Sequence, residues 1–363
     1  MADPIRQGEL YAGYAQDSSI REAASSGGIV SAALIELLSS GHKAALVSGI
    51  TSRDGFVRAV TWPARSRQDV LAAAGSSYVD TPVLRTLCRL ADEPGPMAVV
   101  ALPCQIRALR RLQQRRPELK EKFHPVIGLF CRKNVTTTFY DDFLRRCGVD
   151  PGQVESIKIA HGYLKGGWYR RLCDGVARGP VNAHVRVRLR DGTERRLSFS
   201  FLNAYRTVGA HAKTLCAFCH EHLAEQADLS VGDIFMKPYR SRPIKHSAFI
   251  ARTAEGVALV QKMIEGGSIA AEHVGMDRYR KAFGGLVRFS DRLDSRRLAA
   301  ALVGRSAPKG LTWRTNVFHM LAWTVLFANE RLSRTRWGRR LLFALPRPVV
   351  MLTALAVKGL SHL

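Results

Sequence analysis

The chain of 363 residues is 46% hydrophobic and 23% charged, ordinary globular proportions that suit two domains or one large one. Its formal net charge of +25 attracts acidic partners of any kind, but no aromatic-interleaved basic stripe or zinc-finger spacing favours nucleic acid, which is not an expected partner. Seven cysteines, an odd number in a large chain, fit a reducing compartment better than a disulfide framework. The start Met1-Ala2-Asp3-Pro4 lacks a basic stretch followed by an apolar one. A cytoplasmic protein is therefore expected.

In chain order, residues 1 to 20 are polar and read as a short lead-in. Ser25-Ser26-Gly27-Gly28 before the apolar run Ile29 to Leu38 reads as a capped helix start. Ala44 to Ile50 suits a strand, Gln68 to Ala74 a short helix, and Met97 to Leu102 a fully buried strand ending at Pro103. Cys104 opens a helix carrying Ile106, Leu109 and Leu112 between arginines, and a strand from Val126 to Phe130 ends at Cys131. Two strand ends thus deliver one cysteine each. Val185 to Leu189 and Arg195 to Phe199 alternate around Asp191-Gly192, a dipeptide for a tight hairpin turn with positive φ. Leu229 to Val231 then reads as a strand ending in Gly232-Asp233, and His246 to Arg252 with Gly256 to Ile264 as strand and helix.

The expected fold is α/β: mixed sheets with flanking helices in two lobes, and a helical tail. Residues 1–95 and 96–265 are the expected domains and 266–363 the tail. Within it, apolar runs Val317 to Ala328 and Leu341 to Val357 flank a basic stretch. Neither run is a clean span of about 20 apolar residues. Two packing helices and a helix pair lying on the inner face of an anionic membrane are both compatible with this pattern.

Four cysteines occupy settings that suit ligation: Cys104 in Leu-Pro-Cys-Gln, Cys131 in Gly-Leu-Phe-Cys, and the pair Cys216-Ala-Phe-Cys219. Two intervening residues let a pair of thiolates face one centre, and an iron-sulfur cubane takes four soft thiolates from near or distant segments. Structural zinc would use the same residue type, though more often as two close pairs, so cluster, zinc and unligated thiols all remain open by spacing. Cys88, Cys147 and Cys173 lie in mixed apolar and arginine-bearing contexts and read as buried structural thiols.

Ser-Ser-Gly-Gly at 25 to 28, Ala-Gly-Ser-Ser-Tyr-Val at 74 to 79, Leu-Pro-Cys-Gln-Ile at 102 to 106, Ile-Gly-Leu-Phe-Cys at 127 to 131, and Cys-Ala-Phe-Cys at 216 to 219 occur in this order, followed by Ala-Asp-Leu-Ser-Val-Gly-Asp at 227 to 233. This succession resembles the coenzyme F420 hydrogenase/dehydrogenase beta subunit family, from about residue 10 to residue 265. The resemblance implies an iron-sulfur flavoprotein that moves electrons between a reduced deazaflavin or ferredoxin and an acceptor through FAD and a 4Fe-4S cluster. Coenzyme F420 itself enters as a co-substrate.

The family's cluster ligands map onto Cys104, Cys131, Cys216 and Cys219. Its flavin-side segments map onto Ser25, Ser26, Gly27 and Gly28 and onto Gly75, Ser76 and Tyr78. A Ser/Gly turn opening a helix suits a diphosphate. Many relatives carry a lysine at the position of Ser77, and no cysteine precedes Cys88 here, so electrons would arrive from a separate carrier or a reduced coenzyme. Arg110, Arg111, Arg115 and Arg116 either dock an acidic ferredoxin or form a solvated face. Two rival functions share the sequence: a membrane-surface reductase of an envelope polysaccharide or lipid intermediate, and a non-enzymatic zinc-stabilised binding module.

Overall fold

The computed structural model describes residues 8–162, 182–234, 236–240, 242–275, 278, 283, 292–306 and 315–361. Its strands are β1 (Glu9–Ala15), β2 (Ala44–Arg53), β3 (Phe56–Ala64), β4 (Met97–Ala101), β5 (Phe123–Leu129), β6 (Val154–Gly162), β7 (Asn182–Leu189), β8 (Glu194–Ser198), β9 (Leu229–Asp233), β10 (Ser247–Ala251) and β11 (Ile269–His273). Eight of them form one mixed sheet in the order β11-β1-β10-β9-β5-β4-β2-β3, and β6-β7-β8 form a second, antiparallel sheet.

The middle of the large sheet, β2, β4, β5 and β9, is parallel. Parallel strands covered on both faces read as continuous apolar runs, which is why Met97, Ala98, Val99 and Ala101 of β4 are all buried. One face packs on the helices Ile29–Ser39 and Ala254–Glu265, through Leu34, Leu37, Val260 and Met263. The other packs on the helices Val83–Arg89 and Pro103–Arg115, through Leu87, Ile106 and Leu109. Burying such side chains contributes roughly 1.5–3 kcal/mol each. The second sheet builds a separate core with the helices Thr138–Arg146 and Phe199–Thr207, joined by Leu342, Phe343, Val350 and Ala354 from the tail.

Local sequence explains the helix starts. Ser66 and Asp69 form a reciprocal capping box before Arg67–Ala73, Thr253 accepts from Gly256 N at 3.2 Å, and Asn316 accepts from His319 N at 2.8 Å. The start at 28 is different: Gly28 takes φ +85° and contributes no side-chain cap, so the helix begins on glycine conformation alone.

Four expectations need correction. The lead-in expected over residues 1 to 20 does not hold for residues 9–15, because Glu9–Ala15 is a strand held between β10 and β11 with Leu10, Ala12 and Ala15 buried. The 189–193 hairpin is not a two-residue turn: Leu189 N donates to Thr193 O at 2.9 Å around a three-residue loop, and only Gly192 takes positive φ, +84°. Phe199 does not continue β8 but starts the helix Phe199–Thr207, which Ser198 caps. The expected helical tail from 266 starts too early, because Ile269–His273 is strand β11 of the large sheet; the later part is helical as expected, with Val317–Leu332, Arg336–Ala344 and Arg347–Leu360. Among the described residues no single helix is long and apolar enough to cross a membrane.

Candidate functional site

Cys104 sits in the first turn of Pro103–Arg115, directly after β4, and Cys131 follows the end of β5. The two strands are parallel neighbours, so their carboxyl ends lie side by side, where α/β sheets place their sites. The chain beyond Cys131 is clamped: Val135 bridges Val79 on one side and Ala212 on the other, and Lys213 N donates to Asn134 O at 3.1 Å. That contact carries the short helix Thr214–Ala217, with Cys216, onto the same end. His222 closes the arrangement, since Cys131 N donates to His222 O and His222 Nδ1 donates to Cys131 O, both at 2.9 Å.

The four thiols are electrostatically coupled. Burial, then Cys216, Cys104 and Cys219, push Cys131 far up, and burial, then Cys104 and Cys216 among its neighbours, push Cys219 up. Burial followed by Cys216 raises Cys104, and burial raises Cys216. Left alone, four clustered thiols resist ionising together. Each nevertheless has its own source of positive potential. Arg206 favours the thiolate of Cys131, Lys213 and Lys133 that of Cys216, Arg296 faces Cys219, and backbone N–H groups of the helix start serve Cys104. Burial holds Lys133 far below its ordinary value and Arg296, fully buried, at about 9. Among the described residues no three His, Cys, Asp or Glu side chains are placed to share a single metal ion. The sulfurs are near enough for each to influence the ionisation of others.

The two expected flavin-side segments meet on β6. Ser25 Oγ donates to Ile159 O at 2.5 Å, and Ser76 pairs with the same residue through Ser76 N to Ile159 O at 3.4 Å and Ile159 N to Ser76 O at 3.3 Å. Gly75 takes φ +112° beside Lys158 and Ile159. Ser26 Oγ donates to His246 O at 3.3 Å and Gly27 N to Ser247 Oγ at 2.9 Å. Packing already demands glycine at Gly27, where a Cβ would lie 2.5 Å from Gly13 O and 2.7 Å from Ser247 N. Lys245 Nζ contacts Ser25 O and pairs with Asp233 at 3.2 Å, while burial, then Arg186 and Arg188, lower Lys158. An uncapped helix start between Lys158 and Lys245 fits a phosphate-bearing cofactor.

Tyr78 stands apart from that group and links it to the thiols. Its φ is +49°, a left-handed conformation uncommon outside glycine, and the Arg206 guanidinium lies 3.9 Å from its ring centroid. Arg206, itself buried, donates to Lys133 O at 3.4 Å and accepts Lys133 Nζ at its own carbonyl at 2.7 Å. Burial raises Tyr78, with Arg206 opposing and Asp233 reinforcing the rise. Arg206, Lys133 and Lys245 carry no motif of their own, so sequence reasoning passed over them; only Lys133, two residues after Cys131, had a visible neighbour.

Other expectations change. Cys88 is exposed and Cys147 half-buried rather than fully buried, and Cys173 lies outside the described residues. Arg110 is engaged within the chain: it donates to both carboxylate oxygens of Asp228 at 3.1 Å and to Gln226 O at 3.0 Å. Arg116 pairs with Glu118 at 2.8 Å on the surface.

Residues 10–88 match the N-terminal family, and residues 96–276 the C-terminal family, of the coenzyme F420 hydrogenase/dehydrogenase beta subunit. The coenzyme F420 hydrogenase subunit beta of Methanothermobacter thermautotrophicus is 24% identical over 266 residues, covering 71% of this chain and 82% of that protein. The subunit beta of Methanococcus voltae is 25% identical over 281 residues, covering 74% and 86%. A coenzyme F420-dependent sulfite reductase of Methanocaldococcus jannaschii is 30% identical over 154 residues, covering 38% of this chain and 24% of that protein. A chain of the F420-reducing [NiFe] hydrogenase complex from Methanosarcina barkeri shares the fold at TM-score 0.59 and 18% identity, over 85% of this chain and 98% of that one. The chain belongs to the coenzyme F420 hydrogenase/dehydrogenase beta subunit family.

Proposed function

We propose that this protein is an oxidoreductase subunit that binds FAD and a 4Fe-4S cluster and passes electrons between reduced coenzyme F420 or ferredoxin and a partner protein. One observation carries the reading: four thiols from three distant chain segments, each with its own stabilising positive potential, gather beside the segment that holds Tyr78. The relatives' names, all F420-linked hydrogenases, dehydrogenases or sulfite reductases, support it.

Cys104, Cys131, Cys216 and Cys219 would hold the cluster, which takes soft thiolate ligands from near and distant chain segments. Arg206 and Arg296 would offset part of the negative charge that thiolates bring to Cys131 and Cys219. Ser25, Ser26, Gly27, Gly28, Gly75 and Ser76 would bind the flavin's diphosphate side, with Lys158 and Lys245 supplying positive charge. FAD, when bound, supplies the exchange between two-electron and one-electron chemistry. Tyr78 and Arg206 fix the spacing between the two regions.

The test is anaerobic purification followed by iron, sulfide, zinc and flavin analysis, and reduction trials with F420H2 and reduced ferredoxin. Equal iron and sulfide with extractable FAD is the expected result, with iron lost in Cys216→Ser. Zinc without flavin, or iron unchanged in Cys216→Ser, overturns the assignment.

A further inference from the structure

The tail helices present an apolar surface that the redox site does not use. Of the thirteen exposed large hydrophobic residues among those described, nine lie between Val317 and Leu355. Helix Val317–Leu332 buries Trp323, Leu326 and Phe327 on one side, yet Phe318, Leu321 and Val325 are exposed on the other. A helix lying on a water-facing protein surface turns polar residues outward; this one is apolar on both sides.

The next two helices repeat the pattern. Arg336–Ala344 buries Leu342 and Phe343 while Trp337 is 70% and Leu341 45% exposed, and Arg347–Leu360 buries Val350 and Ala354 while Leu352 is 65% exposed. They meet at 97°. At 1.5 Å per residue they are about 14 and about 21 Å long, short of the ~30 Å hydrocarbon core. Their inner faces are built into the protein core. Lying in the plane of a bilayer surface satisfies both facts; crossing it satisfies neither.

Charge chooses the occupant. Residues 315–361 contain six arginines and one lysine against a single carboxylate, Glu330, and Glu330 is buried and paired with Arg305 and Arg334. Arg334 and Arg339 pair with Glu330 and Asp142, yet the excess of arginine remains, and with an exposed tryptophan and exposed aliphatic side chains it matches a headgroup region rich in anionic lipid. We propose that helices Val317–Leu332, Arg336–Ala344 and Arg347–Leu360 dock the protein on an anionic membrane surface, a role separate from the electron-transfer function.

Flotation of the full, cofactor-loaded chain with vesicles of phosphatidylcholine, with or without phosphatidylglycerol, tests this. The chain should float with the phosphatidylglycerol vesicles, less at high salt. Arg336→Ser with Arg340→Ser should weaken partitioning about tenfold or more, as should Trp337→Glu with Leu352→Glu, with iron content unchanged to show that the variants fold. Cys216→Ser should still bind vesicles, so failure of the redox reading and failure of this one are distinguishable. Absence from both vesicle types overturns the proposal. So does concentration-dependent self-association abolished by Trp337→Glu with Leu352→Glu, which would assign the face to a second copy of the chain.

Discussion

His319 makes the fold acid-sensitive in a measurable way. It is buried on helix Val317–Leu332, where its Nε2 accepts from Trp323 Nε1 at 3.2 Å, so the neutral ring is the form that fits. Burial first, then the positive charges of Arg296, Arg292 and Arg132, hold its pKa at about 3, against 6.5 for a free histidine. A depressed histidine pKa means that the unfolded chain takes up the proton first. The stabilisation is complete above pH 6.5 and is lost progressively as pH falls toward 3.

At 1.36 kcal/mol per pH unit, this one ring costs about 2 kcal/mol of stability between pH 8 and pH 5. His319→Gln keeps an acceptor for Trp323 and removes the titration. Urea unfolding of both proteins at pH 8 and pH 5 should show the variant losing about 2 kcal/mol less than the parent across that interval. Equal losses in the two proteins would refute the assignment of a buried, neutral His319.

Three further outcomes follow from the packing around the thiols. Asp228 accepts from Val126 N at 2.7 Å, from Arg110 at 3.1 Å and from Thr253 Oγ1 at 3.2 Å; Asp228→Ala should cost roughly 3–5 kcal/mol by denaturant titration, and a loss below about 1 kcal/mol would reduce the network to a surface pair. In Gly232→Ala the new Cβ would sit 2.1 to 2.6 Å from the Phe130 side chain, including its Cβ, so a loss of about 1–3 kcal/mol and lower iron content are expected because Phe130 precedes Cys131. Cys88 and Cys104 are both exposed, so in the folded, loaded protein a thiol reagent should label Cys88 while cluster ligation protects Cys104 together with Cys131, Cys216 and Cys219, as peptide mapping by mass spectrometry would show.

The strands leading to the thiols were legible, because β4 and the Val126–Leu129 part of β5 read as apolar runs and a cysteine follows within three residues of each strand end. Legibility stopped where partners lie far along the chain. Glu9–Ala15 carries one charged residue but sits between polar stretches, and only the alternation of Leu10 and Ala12 hints at a strand whose mates begin near residue 247. Arg110 looks solvated until Asp228 appears beside it. Ser25 and Ser26 read as caps, but β6 and the chain entering β10 take their hydroxyls. Arg206, between Tyr78 and Cys131, is one arginine among many in a strongly basic chain.

The position of β1 also constrains biosynthesis. Glu9 pairs with Ala251 and Ala15 with Ile269, so β1 must wait, unpaired, while about two thirds of the 363 residues follow it. Two of the four thiols, on Cys216 and Cys219, also emerge late. Closure of the sheet and assembly of the thiol site are thus both late events, and a nascent chain arrested before residue 247 would expose edges on β9 and on the waiting first strand at once.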